Sequence, residues 1–171
     1  MFRFLGAIGV VAIMAAACSD ADSQAPPMTS ETSAELSGSA VATACDPRCD
    51  GRTIYVRHEL LTSNTYLGHE EPMPDLVRDA IADQFGTVYF LSLEEEEALF
   101  GDDALVDGGK GVVVYVGPVR ERVAGVVGIE IGLLTARDGG RFDTFLFRWT
   151  GDVWEATTGE DVGITVTSAV A

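Results

Sequence analysis

The spacing of apolar residues predicts a helix early in a folded region that spans residues 45–171. After Pro74, apolar residues that include Val77 and Ile81 recur at helical intervals up to Gly86. Proline fits the first turn of a helix, where its missing N–H has no partner, and glycine is a common helix stop. We therefore expect a helix between Pro74 and Gly86.

A second, shorter helix is predicted after Ser92. Ser92 and Glu95 match a capping box, in which each side chain bonds the other residue's backbone N–H, and Gly101 would end the helix. The four acids Glu94–Glu97 have two interpretations, a calcium-binding patch or acids favoured by the dipole at a helix N-terminus. The dipole explains them with fewer assumptions, and we prefer it.

The second half of the chain has the pattern of β-strands. The run Val112–Val116 is apolar throughout, which is typical of a strand covered on both faces. Helices early and strands late predict an α+β fold, an antiparallel β-meander in the C-terminal half with one or two short helices packed on one face. The other expected strands are residues 53–57, 87–91, 123–136, 142–149 and 153–157, and a last strand in which Ile164, Val166 and Ser168 alternate.

The longest hairpin has two possible registers. A turn at Asp138-Gly139 would place Gly132 opposite Phe145, so that an aromatic ring covers a glycine. A one-residue bulge would instead place Glu130 opposite Arg148 as a cross-strand ion pair. We prefer the first register.

Residues 1–17 have the pattern of a signal peptide. Arg3 is followed by an uncharged, apolar run from Phe4 to Ala17, which is shorter than the roughly 20 residues of a membrane-spanning helix. The run ends in the small residues Ala15–Ala17, directly before Cys18.

This junction resembles the lipobox of bacterial lipoproteins, with Ala15 where leucine is most common. The resemblance covers about the first twenty residues. It implies cleavage before Cys18, lipid on the Cys18 thiol, and attachment to a cell membrane or outer membrane on the side away from the cytoplasm. The alternative is ordinary cleavage after Ala17, which would release a soluble secreted protein.

Residues 18–44 are interpreted as a lipidated N-terminus and a flexible linker. From residue 19 to residue 44 the chain is rich in Ser, Ala, Thr, Pro and acids, with no aromatic and no basic residue. Such a composition buries too little apolar surface to order itself. We therefore expect the single globular domain to begin at residue 45.

The remaining cysteines form a pair. With Cys18 acylated, Cys45 and Cys49 are left, separated by three residues that include a predicted turn at Asp46-Pro47. Disulfides persist outside the cytoplasm, so we expect a local disulfide. A zinc site is disfavoured, because zinc takes about four ligands and the chain has only two histidines.

The charge of the chain argues against two kinds of contact, with nucleic acid and with anionic lipid. Eleven basic residues less Arg3 leave ten against 27 acids, so the mature chain has a formal charge of −17. Nucleic-acid binding depends on Lys and Arg contacts to phosphates, and a flat contact with anionic lipid would be repelled. Solubility is the simplest consequence of this charge.

Glu130 is the strongest candidate for a catalytic or ligand-binding residue. It is a lone acid in an apolar strand, between Gly128 and Gly132. If its sheet face were covered, desolvation would raise the pKa of its carboxyl group toward values that suit acid–base catalysis or ligand binding. If the face is open, Glu130 is an ordinary solvated acid.

Two further segments contain possible ligands. His58-Glu59 and His69-Glu70-Glu71 border a polar loop and offer imidazoles and carboxylates for a metal, although the H-E-x-x-H spacing is absent. Residues 101–111 contain aspartates, glycines and Lys110, but neither the calcium-loop nor the phosphate-loop spacing fits. We interpret 101–111 as a connecting turn and expect no cofactor and no metal.

Two functions are consistent with these patterns. The first is a non-catalytic lipoprotein of the cell envelope that binds a protein or a small ligand. The second is an enzyme acting on cell-wall or extracellular material through Glu130 or the His58 and His69 region. We favour the first, because no catalytic set can be assembled from the sequence.

Overall fold

The computed structural model describes residues 24–61, 71–102, 104–165 and, by their backbone, 169–170. The helices are α1 Ser30–Cys45, α2 Asp75–Phe85, α3 Leu93–Leu99 and α4 Gly159–Val162. The strands are β1 Thr53–Arg57, β2 Glu59–Leu60, β3 Glu71–Pro72, β4 Val88–Leu91, β5 Gly111–Val116, β6 Arg120–Val123, β7 Val126–Ala136, β8 Gly139–Trp149, β9 Trp154–Thr157 and β10 Ala169–Val170.

One mixed sheet organises the domain, and its strand order is β10-β8-β7-β5-β1-β4. β1 runs parallel to β4 and β5, while the other neighbours are antiparallel, including β6 on β7 and β9 on β8. The strands β2 and β3 form a small separate pair. The predicted α+β class, with antiparallel strands in the C-terminal half, is confirmed.

The main core lies on one side of the sheet, which we call the α1 face. Helix α1 packs beside α2 and against β5, β7 and β8. Ile81 of α2, Val114 of β5 and Ile129 of β7 are fully enclosed there. Val113 points to the opposite side and is also fully buried, so the prediction that this apolar strand is covered on both faces is confirmed.

The opposite side, the α3 face, is covered in part by α3 and by the segment that follows it. Glu96 of α3 reaches Arg57 and Tyr115 on this face, and Val106 is fully buried. Helices therefore pack on both faces, whereas the sequence led us to expect them on one.

Helix α1 corrects the expected flexible linker. Within residues 18–44, the part from residue 30 onward is helical, and Ala40 and Val41 are completely buried. Thr29 caps the helix by accepting the N–H of Thr32 at 3.1 Å. The domain therefore begins well before residue 45, because small residues let α1 pack closely although the helix has few large apolar groups. Cys18 and the predicted signal peptide, residues 1–17, lie outside the described residues.

The predictions for the next elements are confirmed. Helix α2 follows Pro74 and ends at Gly86, whose φ of 76° suits glycine. Both bonds of the Ser92–Glu95 capping box are present at the start of α3.

The long expected strand 123–136 is two strands. Gly125, with a φ of 73°, forms a tight turn between β6 and β7, and Val123 pairs with Val126 across it. Apolar residues on both sides of Gly125 hid this turn in the sequence pattern.

Both expected registers of the β7–β8 hairpin are wrong. The two turn residues are Arg137 and Asp138, and a bulge near Thr135 shifts the pairing, so Glu130 faces Thr144. Gly132 nevertheless lies under an aromatic ring, that of Phe142, with which a Cβ at position 132 would collide. The principle of an aromatic ring over a glycine therefore holds with a different aromatic residue.

The C-terminal segment differs from the expected final strand. α4 begins at Gly159, with Thr158 as its N-cap, and Ile164 follows it outside any strand. Val166 and Ser168 lie outside the described residues, and the last pairing is of β10 with β8.

The expected disulfide joins Cys45 to Cys49, with their Cα atoms 4.9 Å apart. Cys45 is the last residue of α1, and both cysteines belong to the core. The bridge therefore closes the turn that leads from α1 to β1.

Candidate functional site

Glu130 lies on the α3 face of β7, beyond the cover of α3. Its side chain is 50% exposed, and Arg122 of β6 approaches its Oε1 at 3.3 Å. The condition for a desolvated carboxylate is not met, so Glu130 fits the solvated alternative. The glycine beside it in space, Gly117, is needed for packing, because a Cβ there would press on the Glu130 backbone.

His58 is partly exposed, and its Nε2 lies 2.7 Å from Oε1 of Glu59. His69 and Glu70 lie outside the described residues, so the proximity of the two histidines stays a prediction. Within residues 24–61, 71–102 and 104–165, no three His, Cys, Asp or Glu side chains group as metal ligands.

The most buried polar cluster centres on Arg57, the last residue of β1. Its Nη1 donates to Oε2 of Glu96 at 2.7 Å, while Nη2 and Nε donate to Oε2 of Glu59 at 2.9 and 3.0 Å. The side chains of Arg57 and Glu96 are 5% and 7% exposed. One guanidinium thus serves two carboxylates under α3.

Tyr115 of β5 completes this cluster. Its hydroxyl donates to Oε1 of Glu96, and its ring centroid is 5.8 Å from the guanidinium carbon of Arg57. Burial raises the pKa of the Tyr115 hydroxyl, and the neighbouring Glu96 carboxylate raises it further. Burial alone would lower the pKa of Arg57, but its bonds to Glu96 and Glu59 outweigh that effect and raise it.

This cluster joins α3 to the sheet. The donors of Arg57 and the hydroxyl of Tyr115 are directed at the two carboxylates, so the groups satisfy one another. Sequence reasoning missed it because Glu96 stands in a run of four acids, each of which the helix dipole would explain. No local signal in the sequence separates Glu96 from the acids beside it, because its partners Arg57 and Tyr115 are distant along the chain.

Residues 101–111 form the predicted connecting turn. A short 3₁₀ turn at Asp107–Gly109 leads into β5, and Lys110 is exposed there. Asp107 accepts a long hydrogen bond from Tyr55 at 3.4 Å. Asp103 lies outside the described residues.

A cavity of about 230 Å³ opens at the end of the sheet that carries the β6–β7 turn. One wall is the segment 25–28, which precedes α1, and the other walls come from β6, β7 and β9. Most of the lining side chains are apolar, but polar atoms and the acid Glu121 also face the cavity. The apolar lining includes Ala25, Pro27, Met28, Val119, Val126 and Trp154.

Two tryptophans border this end of the sheet. Trp149 and Trp154 pair across β8 and β9 with ring centroids 5.7 Å apart. The backbone N–H of Trp149 donates to Gly125 at 2.9 Å, which ties the β6–β7 turn to β8. The indole N–H of Trp149 is buried and finds no acceptor among the described residues.

Comparison with known proteins found no relative of this chain. No protein-family model, no curated protein and no solved structure matches the chain. In the part of the chain that the structure describes, no helix has the length and apolar character needed to cross a bilayer.

Proposed function

We propose that this chain is a lipid-anchored, extracytoplasmic binding module of the cell envelope. In this proposal the cavity beside residues 25–28 is the binding site, and the cavity is the observation that carries the proposal. Its lining combines apolar side chains with polar atoms and the acid Glu121, which suits a largely apolar occupant that also carries a polar group.

The size of the cavity limits the occupant. Pockets for drug-sized ligands have roughly 300–1,000 Å³, whereas an apolar cavity of about 150 Å³ takes benzene. A volume of about 230 Å³ lies between these values. It suits a fused-ring compound or one large apolar side chain of a protein partner.

Two sequence features support the location. The signal-like residues 1–17 precede Cys18 in a pattern similar to that of bacterial lipoproteins. The Cys45–Cys49 disulfide suits an oxidising compartment outside the cytoplasm.

Titration with Nile red, a neutral dye that fluoresces away from water, tests the binding site. Ala25→Trp places an indole inside the cavity, and we expect it to weaken dye binding about tenfold or more, a loss of about 1.4 kcal/mol. Ala98→Trp is the matched control, because it makes the same change on the exposed surface of α3. Equal dye binding by the two variants would show that the cavity is not the site.

A further inference from the structure

Three exposed apolar residues line the cavity or stand next to residues that line it, and we call Met28, Val123 and Val153 the apolar rim. They are 36%, 46% and 52% exposed. Met28 lines the cavity, Val123 pairs with the cavity residue Val126, and Val153 directly precedes Trp154. Single exposed apolar residues are ordinary, but several at one end of a sheet, beside a cavity, suit a contact surface.

The chain between Cys18 and the rim is short. Because α1 takes up residues 30–45 and residues 25–28 line the cavity, only residues 19–23 separate Cys18 from Gln24. Six steps of extended chain reach about 20 Å. A domain of about 140 residues has a radius of gyration of about 14 Å, so its diameter exceeds that reach. A lipid on Cys18 would therefore hold the rim end close to the bilayer.

The charge of this end permits such an approach. The mature chain carries −17 in total, but residues 24–29 are uncharged, and residues 120–126 and 148–155 carry three basic and three acidic side chains. Repulsion from lipid head groups is therefore smaller for these segments than the total charge suggests. The charged side chains are Arg120, Glu121, Arg122, Arg148, Asp152 and Glu155.

We propose that the apolar rim rests on the lipid surface that holds the anchor, so that the cavity opens at the membrane interface. This proposal depends on the lipid anchor at Cys18. The partner it names is the lipid bilayer, argued from the short connection to Cys18, the exposed apolar rim and the locally balanced charge. Tryptophan is favoured at membrane interfaces, and both tryptophans of the chain lie at this end.

Quenching of tryptophan fluorescence by lipid tests the contact. The full-length acylated protein is placed in phosphatidylcholine vesicles that carry brominated acyl chains, and Trp149 and Trp154 are the probes. We expect clear quenching, which the double variant Val123→Asp/Val153→Asp lowers about twofold or more, because interfacial binding scales with buried apolar area. The variant should still sediment with the vesicles through its anchor.

The matched control is Leu76→Asp/Leu93→Asp, which introduces the same charges at residues that are 45% and 50% exposed on α2 and α3. This control should leave the quenching unchanged. The rim does not contact lipid if the protein sediments but its tryptophan fluorescence is not quenched, or if the fluorescence of both double variants is quenched equally. The rim would then be a contact surface for a soluble partner. If the protein does not sediment at all, the anchor itself is refuted, and this inference with it. Circular dichroism of each variant confirms that it is folded.

Discussion

Glu96 differs from the acids beside it because its carboxylate faces the sheet. It bonds Arg57 and Tyr115, whereas Glu97 is exposed and lies 3.3 Å from an exposed Arg137. Ion pairs at the surface contribute little to stability, but a charge left alone in a buried site is costly. Neighbouring acids of the same helix should therefore contribute very differently to folding.

Glu96→Ala should lower the free energy of unfolding by about 3 kcal/mol, because it leaves the buried Arg57 guanidinium with one carboxylate fewer. Glu97→Ala should change it by no more than about 0.5 kcal/mol. Urea denaturation followed by circular dichroism measures both. Similar losses for the two variants would contradict the assigned role of Glu96.

Single residues show where sequence reasoning stops. Ser92 and Glu95 were predictable because a capping box is a local pattern with fixed spacing. The partnership of Glu96 with Arg57 joins residues 39 positions apart, and it depends on how α3 lies on the sheet. No local spacing encodes that placement.

At the scale of elements, α1 shows that small residues can make a core helix. Its buried positions include Ala34, Ser37, Gly38 and Ala40. These residues bring its backbone close to α2, where a Cβ on Gly38 would stand 3.0 Å from the carbonyl oxygen of Ala80. The same composition is typical of disordered linkers, which is why the sequence pointed to a tether.

Gly38→Leu should destabilise the domain by about 1–3 kcal/mol, because the backbone of α2 has to move to admit the new side chain. Ser39→Leu is its control, since Ser39 is exposed on the same helix. Comparing the thermal unfolding midpoints of the two variants separates the effect of packing on stability from the effect of helix propensity. A flexible linker would tolerate both changes equally, so equal midpoints would restore the linker interpretation.

The strands were easier to predict than their pairing. β1, β4, β5 and β8 were expected close to their observed ranges, because their apolar patterns are local. The register of β7 and β8 was missed by three residues, since the turn uses Arg137 and Asp138 and a bulge interrupts β7. Alternative registers of a glycine-rich strand differ little in local pattern, so tertiary packing decides between them.

At the scale of the whole molecule, the proposed attachment to a membrane depends on one thiol. Cys18→Ser should abolish labelling by a fatty-acid analogue and end sedimentation with membranes, because the proposed anchor is the lipid on that thiol. The control is Cys45→Ser/Cys49→Ser, which should keep the label, since that pair is joined in a disulfide. Continued labelling of Cys18→Ser would refute the anchor.

The position of α1 has a consequence for how the chain matures. Synthesis proceeds from the N-terminus, yet α1 packs on β7 and β8, which end about a hundred residues later. A helix of 16 residues is marginal by itself in water. The contacts of α1 with β7 and β8 can therefore form only after most of the chain has been made. Because α1 consists largely of alanines, serines and threonines, it exposes little apolar surface until then, which limits aggregation.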